Sequence, residues 1–264
     1  MSLLSASRLQ VTLSGTPILK DLGFTIEPGS WTGILGPNGS GKTTLLKTVA
    51  GLIDFEGDLT LEDSSISSWA PRSLARRIAF VRQSHSLPFD FKVQELVLLG
   101  RSPHKSPLST YGRRDLDLAK DALDQVDLTG LSSRTFSSLS GGEQQRVFLA
   151  QALVQEADMF LLDEPTTYLD VHHQFEFLQY VRSMVSHGRS VLAAFHDLEL
   201  AARFSDHLII LDKGRIAATG SPQEVLTEYL LADVFRMKAH VYYENDGSLR
   251  IQYDAPIHRR STES

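Results

Sequence analysis

Apolar and polar positions alternate at residues 9–13, where Gln10 and Thr12 separate Leu9, Val11 and Leu13, and the pattern returns at Phe24-Thr25-Ile26 before Pro28-Gly29. Such alternation predicts strands with one buried face. Trp31-Thr32-Gly33-Ile34-Leu35 is a short β-type run that stops at a cluster of glycines. After it, Leu45, Leu46, Val49 and Ala50 recur at helical spacing, and Gly51 is a natural helix stop. Strand, glycine-rich loop and helix in succession open an α/β unit.

From about residue 84 to 158 the texture changes. Residues 95–99 and 115–126 have helical spacing, interrupted by Ser102-Pro103, Ser106-Pro107 and Tyr111-Gly112. β-type runs are scarce there, which predicts a helical lobe inserted into the α/β unit. Apolar runs return at 159–162, 191–195 and 208–211, without alternation, as parallel strands covered on both faces require. Asp212-Lys213-Gly214 reads as a hairpin turn, so this end of the sheet is expected to be antiparallel. The pattern divides the chain into a unit over 1–236, with its core in 1–83 and 159–236 and the lobe in 84–158. A short extension follows over 237–264.

Composition narrows the chemistry. The chain has 264 residues, 42% of them hydrophobic, enough for one large domain or for one with an inserted lobe. It has no cysteine, which excludes disulfides, thiolate zinc sites, iron–sulfur clusters and cysteine nucleophiles. A formal net charge of −6 gives no global positive field to draw in nucleic acid. The apolar runs are too short to span a bilayer. Residues 1–8 lack the basic and apolar regions of a secretion signal. The expectation is a soluble, cytoplasmic protein.

Three strings carry candidate chemistry. Gly36-Pro37-Asn38-Gly39-Ser40-Gly41-Lys42-Thr43 fits the phosphate-loop pattern and lies between an expected strand and helix. Its glycines let consecutive backbone N–H groups turn toward phosphate oxygens, and the helix adds its positive end. Lys42 is placed to bridge the β- and γ-phosphates, and the Thr43 hydroxyl to ligate Mg²⁺. Met159-Phe160-Leu161-Leu162-Asp163-Glu164 is an apolar strand ending in two carboxylates. Asp163 suits the metal side of such a site, and Glu164 could orient and polarise an attacking water. In Leu139-Ser140-Gly141-Gly142-Glu143-Gln144-Gln145-Arg146, Ser140 and Glu143 form a capping box. The two glycines leave bare N–H groups beside the Ser140 hydroxyl, making a second anion site. Two phosphate-binding helix starts in one chain suggest two chains sharing a nucleotide.

These strings resemble the ATP-binding subunit of ABC transporters over nearly the whole chain. The stretch 36–43 resembles Walker A and continues into Thr44; 139–143 resembles the signature, and 159–164 Walker B with its catalytic glutamate. Gln83 stands where the family has its metal-sensing glutamine. Tyr168-Leu169-Asp170 is similar to the loop after Walker B, and His196 to the switch histidine. Glu143 replaces the commoner Gln, Lys92 a usual Thr, and Leu13 the adenine-stacking aromatic, so contact with the base there would be dispersion only.

The resemblance implies a RecA-like core with an N-terminal antiparallel β portion and an inserted helical subdomain. It implies catalytic roles for Glu164, His196, Gln83 and Lys42. Nucleotide would be held by Gly36, Pro37, Asn38, Gly39, Ser40, Gly41, Lys42, Thr43 and Thr44 on one side and by Ser140, Gly141, Gly142 and Glu143 on the other, with Asp170 a further nucleotide-binding residue. Mg²⁺ would be held by Thr43, Gln83 and Asp163. The implied partners are a second copy arranged head to tail, two membrane permease subunits and, indirectly, an extracytoplasmic binding protein, with no nucleic acid. Leu99-Gly100-Arg101-Ser102-Pro103-His104, Pro165-Thr166-Thr167-Tyr168-Leu169-Asp170 with His173-Gln174, and 195–203 are similar to importers of ferric siderophores, haem and cobalamin. The Thr-Thr-Tyr variant favours siderophores. A soluble ATPase of iron–sulfur assembly is the competing member of the family.

Overall fold

The structure, a computed structural model, describes residues 2–81, 89–106, 109–167, 169–245 and 247–257. The strands of its first half are β1 (Leu4–Leu13), β2 (Thr16–Ile26), β3 (Trp31–Leu35), β4 (Glu56–Leu61), β5 (Ser64–Ser65) and β6 (Ile78–Val81). Those of the second half are β7 (Met159–Asp163), β8 (Ser190–Ala194), β9 (His207–Asp212), β10 (Arg215–Gly220), β11 (Met237–Tyr243) and β12 (Leu249–Pro256). Between them run α1 (Lys42–Val49), α2 (Pro71–Leu74), α3 (Val93–Leu98), α4 (Arg113–Gln125), α5 (Gly141–Leu153), α6 (Val171–Ser186), α7 (Leu198–Phe204), α8 (Pro222–Val225) and α9 (Glu228–Asp233).

The central sheet has the order β10-β9-β3-β8-β7-β6 and is parallel except for the β9–β10 pair. Every residue of β3, β7 and β8 is buried, and their side chains divide by the two-residue period of a strand. Met159, Leu161, Leu192, Ala194, Ile34 and Ile209 enter one apolar cluster. Phe160, Leu162, Val191, Ala193, Trp31 and Leu208 enter the other. Apolar runs without alternation are therefore strands with two dry faces, as expected.

The first cluster is closed by α1 and by an antiparallel sheet of order β2-β1-β4-β5. Leu45, Leu46 and Val49 of α1 are fully buried, each worth roughly 1.5–3 kcal/mol of removal from water. The second cluster is covered by helices, including α3, α5, α6 and α7. Lys213 and Gly214 join β9 to β10 with φ of 47° and 80°, the left-handed pair of a tight hairpin turn.

The helical segment is fastened by a buried cation. Arg101 donates to Asp115 (3.1 Å), Glu156 (2.7 Å) and the Val154 carbonyl (2.5 Å), while Lys105 reaches the second Asp115 oxygen at 2.7 Å. The Gly-Arg-Ser-Pro-His string thus ties the end of α3 to α4 and to the end of α5. The Lys105 bond, first, and the Gly112 backbone hold the Asp115 carboxyl down at about 2. At Lys92 no side chain caps α3; Glu95 accepts from the Lys92 backbone N–H instead (3.0 Å).

The extension past residue 236 forms the antiparallel pair β11–β12, docked on α7 where Glu199 accepts from the Ile251 N–H (2.8 Å) and from Arg250 (3.3 Å). Among the described residues, no helix is long and apolar enough to cross a membrane.

Candidate active site

Adjacent parallel strands β3, β7 and β8 end together, and the chemistry-bearing residues follow those ends, where ligands of open α/β sheets bind. After β3 the chain turns through Gly36 (φ 152°) and Gly39 (φ 77°) into α1. A methyl group at Gly36 would lie 2.1 Å from the Leu211 carbonyl oxygen, so only glycine fits there. At Gly39 nothing lies within 4 Å of an added Cβ; there the backbone conformation, not space, selects glycine. Asn38 and Gly39 are exposed, whereas the Ser40 hydroxyl is buried without a partner. Thr44 lies inside α1, its carbonyl accepting from the Thr48 hydroxyl.

Lys42 is buried, and its ammonium donates to the Gly36 carbonyl (2.9 Å) and the Pro37 carbonyl (3.4 Å), arching across the loop. Burial pushes its pKa down, and the neighbouring Glu164 and Asp163 carboxylates oppose that shift. The Thr43 hydroxyl donates to Asp163 Oδ1 at 2.9 Å. Burial pushes Asp163 up; the Thr43 bond counters this and the Glu164 charge adds to it.

Glu164 is held with φ of 51°, a left-handed conformation that costs a non-glycine residue on the order of 1 kcal/mol. Its backbone N–H bonds the Ala194 carbonyl on β8 (3.2 Å), and Thr167 donates to its carbonyl (3.1 Å). So turned, Glu164 Oε2 lies 2.6 Å from His196 Nε2. His196 is fixed by Phe195, which is buried against Trp31 with ring centroids 6.2 Å apart.

The structure therefore brings together Gly36–Thr43, Asp163, Glu164 and His196. Ser140 and Glu143 form a separate group that bonds to itself. Glu143 accepts from the Ser140 N–H (2.7 Å) and hydroxyl (2.8 Å), and the Ser140 oxygen accepts from the Glu143 N–H (3.4 Å). Those bonds hold the Glu143 carboxyl below its usual range. Gly141 is exposed and Gly142 half-buried at the start of α5. Asp170 caps α6 through the His173 N–H (3.0 Å) and meets the His173 ring (2.9 Å), contacts that lower its pKa. Gln83 and Tyr168 lie outside the described residues. The sequence reading gave Thr167 only as part of a string similar to chelate importers and not as the residue that holds the Glu164 backbone, and it did not single out Lys47, whose charge acts on Asp163.

The arrangement fits a magnesium-bound nucleoside phosphate. The buried, unpartnered Ser40 hydroxyl and the arched Lys42 supply donors within the loop. Thr43 and Asp163 present two hard oxygens 2.9 Å apart. Among the described residues no three His, Asp or Glu side chains are grouped to hold a metal ion alone. Two protein oxygens suit Mg²⁺, which keeps waters and phosphate oxygens in its shell.

The family model described as ABC transporter matches residues 19–167. The hemin import ATP-binding protein HmuV of Pseudomonas entomophila is 42% identical over 240 residues, covering 88% of this chain and 92% of that protein. The cobalamin import ATP-binding protein BtuD of Halobacterium salinarum is 40% identical over 240 residues, 90% of this chain; the match spans only 60% of that longer protein. A solved chain described as a metal-chelate type ABC transporter, inward-facing, superposes with a TM-score of 0.83 at 28% identity, covering 98% of this chain and 99% of that one. The α/β architecture is that of these ATPase domains, a RecA-like core carrying an antiparallel β portion.

Proposed function

The chain belongs to the ABC transporter family, and on that premise we propose that it is the ATP-hydrolysing subunit of an importer whose cargo is a metal chelate. The observation that carries this is the pairing of Thr43 with Asp163 beside the pairing of Glu164 with His196, both at the ends of neighbouring parallel strands. Backbone N–H groups of 36 and 38–43 and the Lys42 ammonium would hold the phosphates, and Thr43 and Asp163 would hold Mg²⁺, with Gln83 assigned as a further ligand from the sequence. Mg²⁺ bound there supplies charge neutralisation for the β- and γ-phosphates. Glu164 accepts the proton of the attacking water, and His196 orients the Glu164 carboxylate through their 2.6 Å contact.

Ser140, Gly141, Gly142 and Glu143 serve the nucleotide of a second, head-to-tail copy, since their own polar bonds are spent within the cap and leave the glycine N–H groups free to face outward. Asp170, committed to capping α6, acts at that interface through the loop it anchors rather than as a phosphate ligand. Two permease subunits and an extracytoplasmic binding protein complete the importer, which places this chain peripherally on the cytoplasmic face of the cell membrane. A cavity of about 730 Å³ lined by Leu52, Phe55, Trp69, Leu74 and Phe80 supports docking of a permease segment. No basic field favours nucleic acid. Cargo is proposed at the level of the class. The sequence lean toward ferric siderophores rests on one three-residue variant, and hemin and cobalamin proteins match at nearly equal identity.

The test is hydrolysis of Mg-ATP by the purified chain, followed by uptake of labelled ferric siderophore, haem and cobalamin into vesicles carrying the assembled importer. A chain that binds no nucleotide would overturn the ATPase assignment. Hydrolysis without uptake of any chelate would overturn the importer class and favour the iron–sulfur assembly alternative.

A further inference from the structure

We propose that Gln144 and Gln174 are a matched pair of positioning residues that lock the loops ahead of α5 and α6 into one unit running from Glu164 to Gly142. The proposal rests on the ATPase function above and deepens it.

Among their described residues the two loops share one hydrogen-bond pattern. In 136–144 the Leu139 N–H bonds the Phe136 carbonyl (3.1 Å), and in 166–174 the Leu169 N–H bonds the Thr166 carbonyl (3.1 Å). Each loop then reaches an N-cap, Ser140 or Asp170, whose carbonyl accepts from the glutamine N–H four residues on, at 2.9 and 2.8 Å. Each glutamine side chain turns back onto its own loop. Gln144 Nε2 donates to Phe136 O (3.3 Å) and Leu139 O (3.1 Å); Gln174 Nε2 donates to Thr166 O (3.1 Å) and Leu169 O (3.0 Å). The offsets, eight and five residues back, are identical. A primary amide has two N–H groups, so one side chain serves both carbonyls. Apart from the leucine and the glutamine the two stretches share no residue, so the duplication lives in the backbone and its amide clamp.

The clamped loops also touch. A Cβ on Gly142 would lie 3.2 Å from Leu169 Cδ2, so the leucine of the second loop packs on the glycine turn of the first. At its other end the second loop begins at Glu164, whose carbonyl accepts from the Thr167 hydroxyl and N–H. A continuous set of contacts therefore joins the residue assigned to the attacking water with the turn assigned to the partner's phosphate. Within one chain, the proposal couples a shift of either half-site to the other through the Leu169–Gly142 contact.

The experiment uses the full chain and the variants Gln144→Met and Gln174→Met, which keep side-chain length and remove the donors, with Gln174→Lys restoring a donor. Amide hydrogen exchange is read without nucleotide. Gln174→Met is expected to speed exchange at Thr167 and Leu169 roughly tenfold, the equivalent of two neutral hydrogen bonds, and to speed exchange at 141–143 as well. With Mg-ATP, kcat is expected to fall about tenfold while KM stays within about twofold. Gln174→Lys should recover most of both losses, and the double Met variant should cost less than the product of the singles. Unchanged exchange in Gln174→Met, or strictly multiplicative losses with 141–143 unaffected, would overturn the proposal. A wild-type chain inactive toward ATP would overturn the function above, while the exchange data would still decide the clamp.

Discussion

Replacing Glu164 by Gln separates chemistry from stability, because the structure gives the two effects opposite signs. Asp163 and Glu164 are adjacent buried carboxylates, 4% and 8% exposed, and the charge of Glu164 adds to the upward shift of Asp163. Gln removes one of two like charges and keeps a side chain of the same length opposite His196. Stability should hold or rise, by up to about 1 kcal/mol, which for a chain of this size is roughly 2–4 °C in Tm. Hydrolysis should fall by roughly 10²–10⁴-fold, because an amide cannot accept the proton of the attacking water. Nucleotide affinity should be equal or tighter, one negative charge having left the phosphate site. ATP that binds and is not hydrolysed should then hold the closed pair of chains, since a bound ligand shifts population toward the state it favours. The assays are steady-state phosphate release, calorimetric melting and size-exclusion chromatography with Mg-ATP, expecting a dimer for the variant and mainly monomer for wild type. Wild-type turnover would refute the assignment of Glu164 as base. Loss of turnover together with a fall in Tm would refute the reasoning that separates its chemistry from its packing.

Lys42→Ala should weaken ATP binding roughly 100-fold or more in a direct titration, since the charged hydrogen bonds to phosphate are lost, and should leave the fold intact. Ser140→Arg should leave binding by the single chain unchanged but abolish hydrolysis, by filling the space where the partner's phosphate approaches; it should also cost about 1 kcal/mol of stability as a lost cap, read by denaturant melting. Asp115→Asn tests the clamp on Arg101. The folded pKa of Asp115 lies near 2, below its unfolded value, so its contribution of roughly 2 kcal/mol is present above about pH 4 and lost as pH falls through 2. The stability gap between wild type and Asp115→Asn, measured by urea melts, should therefore be full at pH 7 and close toward pH 2; a gap independent of pH would refute it.

What the sequence disclosed and what it hid follow from range. The phosphate loop, the Ser140–Glu143 box, and the runs that became β3, β7 and β8 are local patterns in which burial or a cap is written in consecutive residues. β4 was missed because its first three residues, Glu56-Gly57-Asp58, are exposed and carry no apolar signal. The β11–β12 hairpin was missed because its outer residues, among them Tyr242 and Tyr253, alternate weakly and leave half their surface in water. His196 and Glu164 are 32 positions apart, and only the placement of β8 beside β7 makes them neighbours. The doubled loop at Gln144 and Gln174 was invisible because its bonds use main-chain carbonyls, which any residue supplies.

Under the proposed function, charge and the placement of donors account for both a divalent cation and a second chain at this site. Within the site formed by one chain, Asp163 and Glu164 place two adjacent carboxylates, and Lys42 and Lys47 are the cations that act on Asp163. The upward shift of Asp163 comes first from burial, and the Glu164 charge adds to it against the Thr43 bond and the Lys47 and Lys42 charges. A triphosphate adding further negative charge would be repelled by those carboxylates unless a divalent cation entered with it beside Thr43 and Asp163. Even then, the donors of one chain reach the phosphates from one side only: the loop N–H groups, the Ser40 hydroxyl and Lys42. On the other loop of the pair the cap occupies the Ser140 and Glu143 side chains with each other, and the proposed function assigns the Gly141 and Gly142 N–H groups to the partner's phosphate. On the proposed function, a second copy would offer its helix-start dipoles to the phosphates, with the Glu143 carboxylate turned onto its own Ser140 cap. Closure of the proposed pair would then be governed by the γ-phosphate, the group both chains could hold at once. Its removal by the chemistry assigned to Glu164 would withdraw the contact that favoured the closed state.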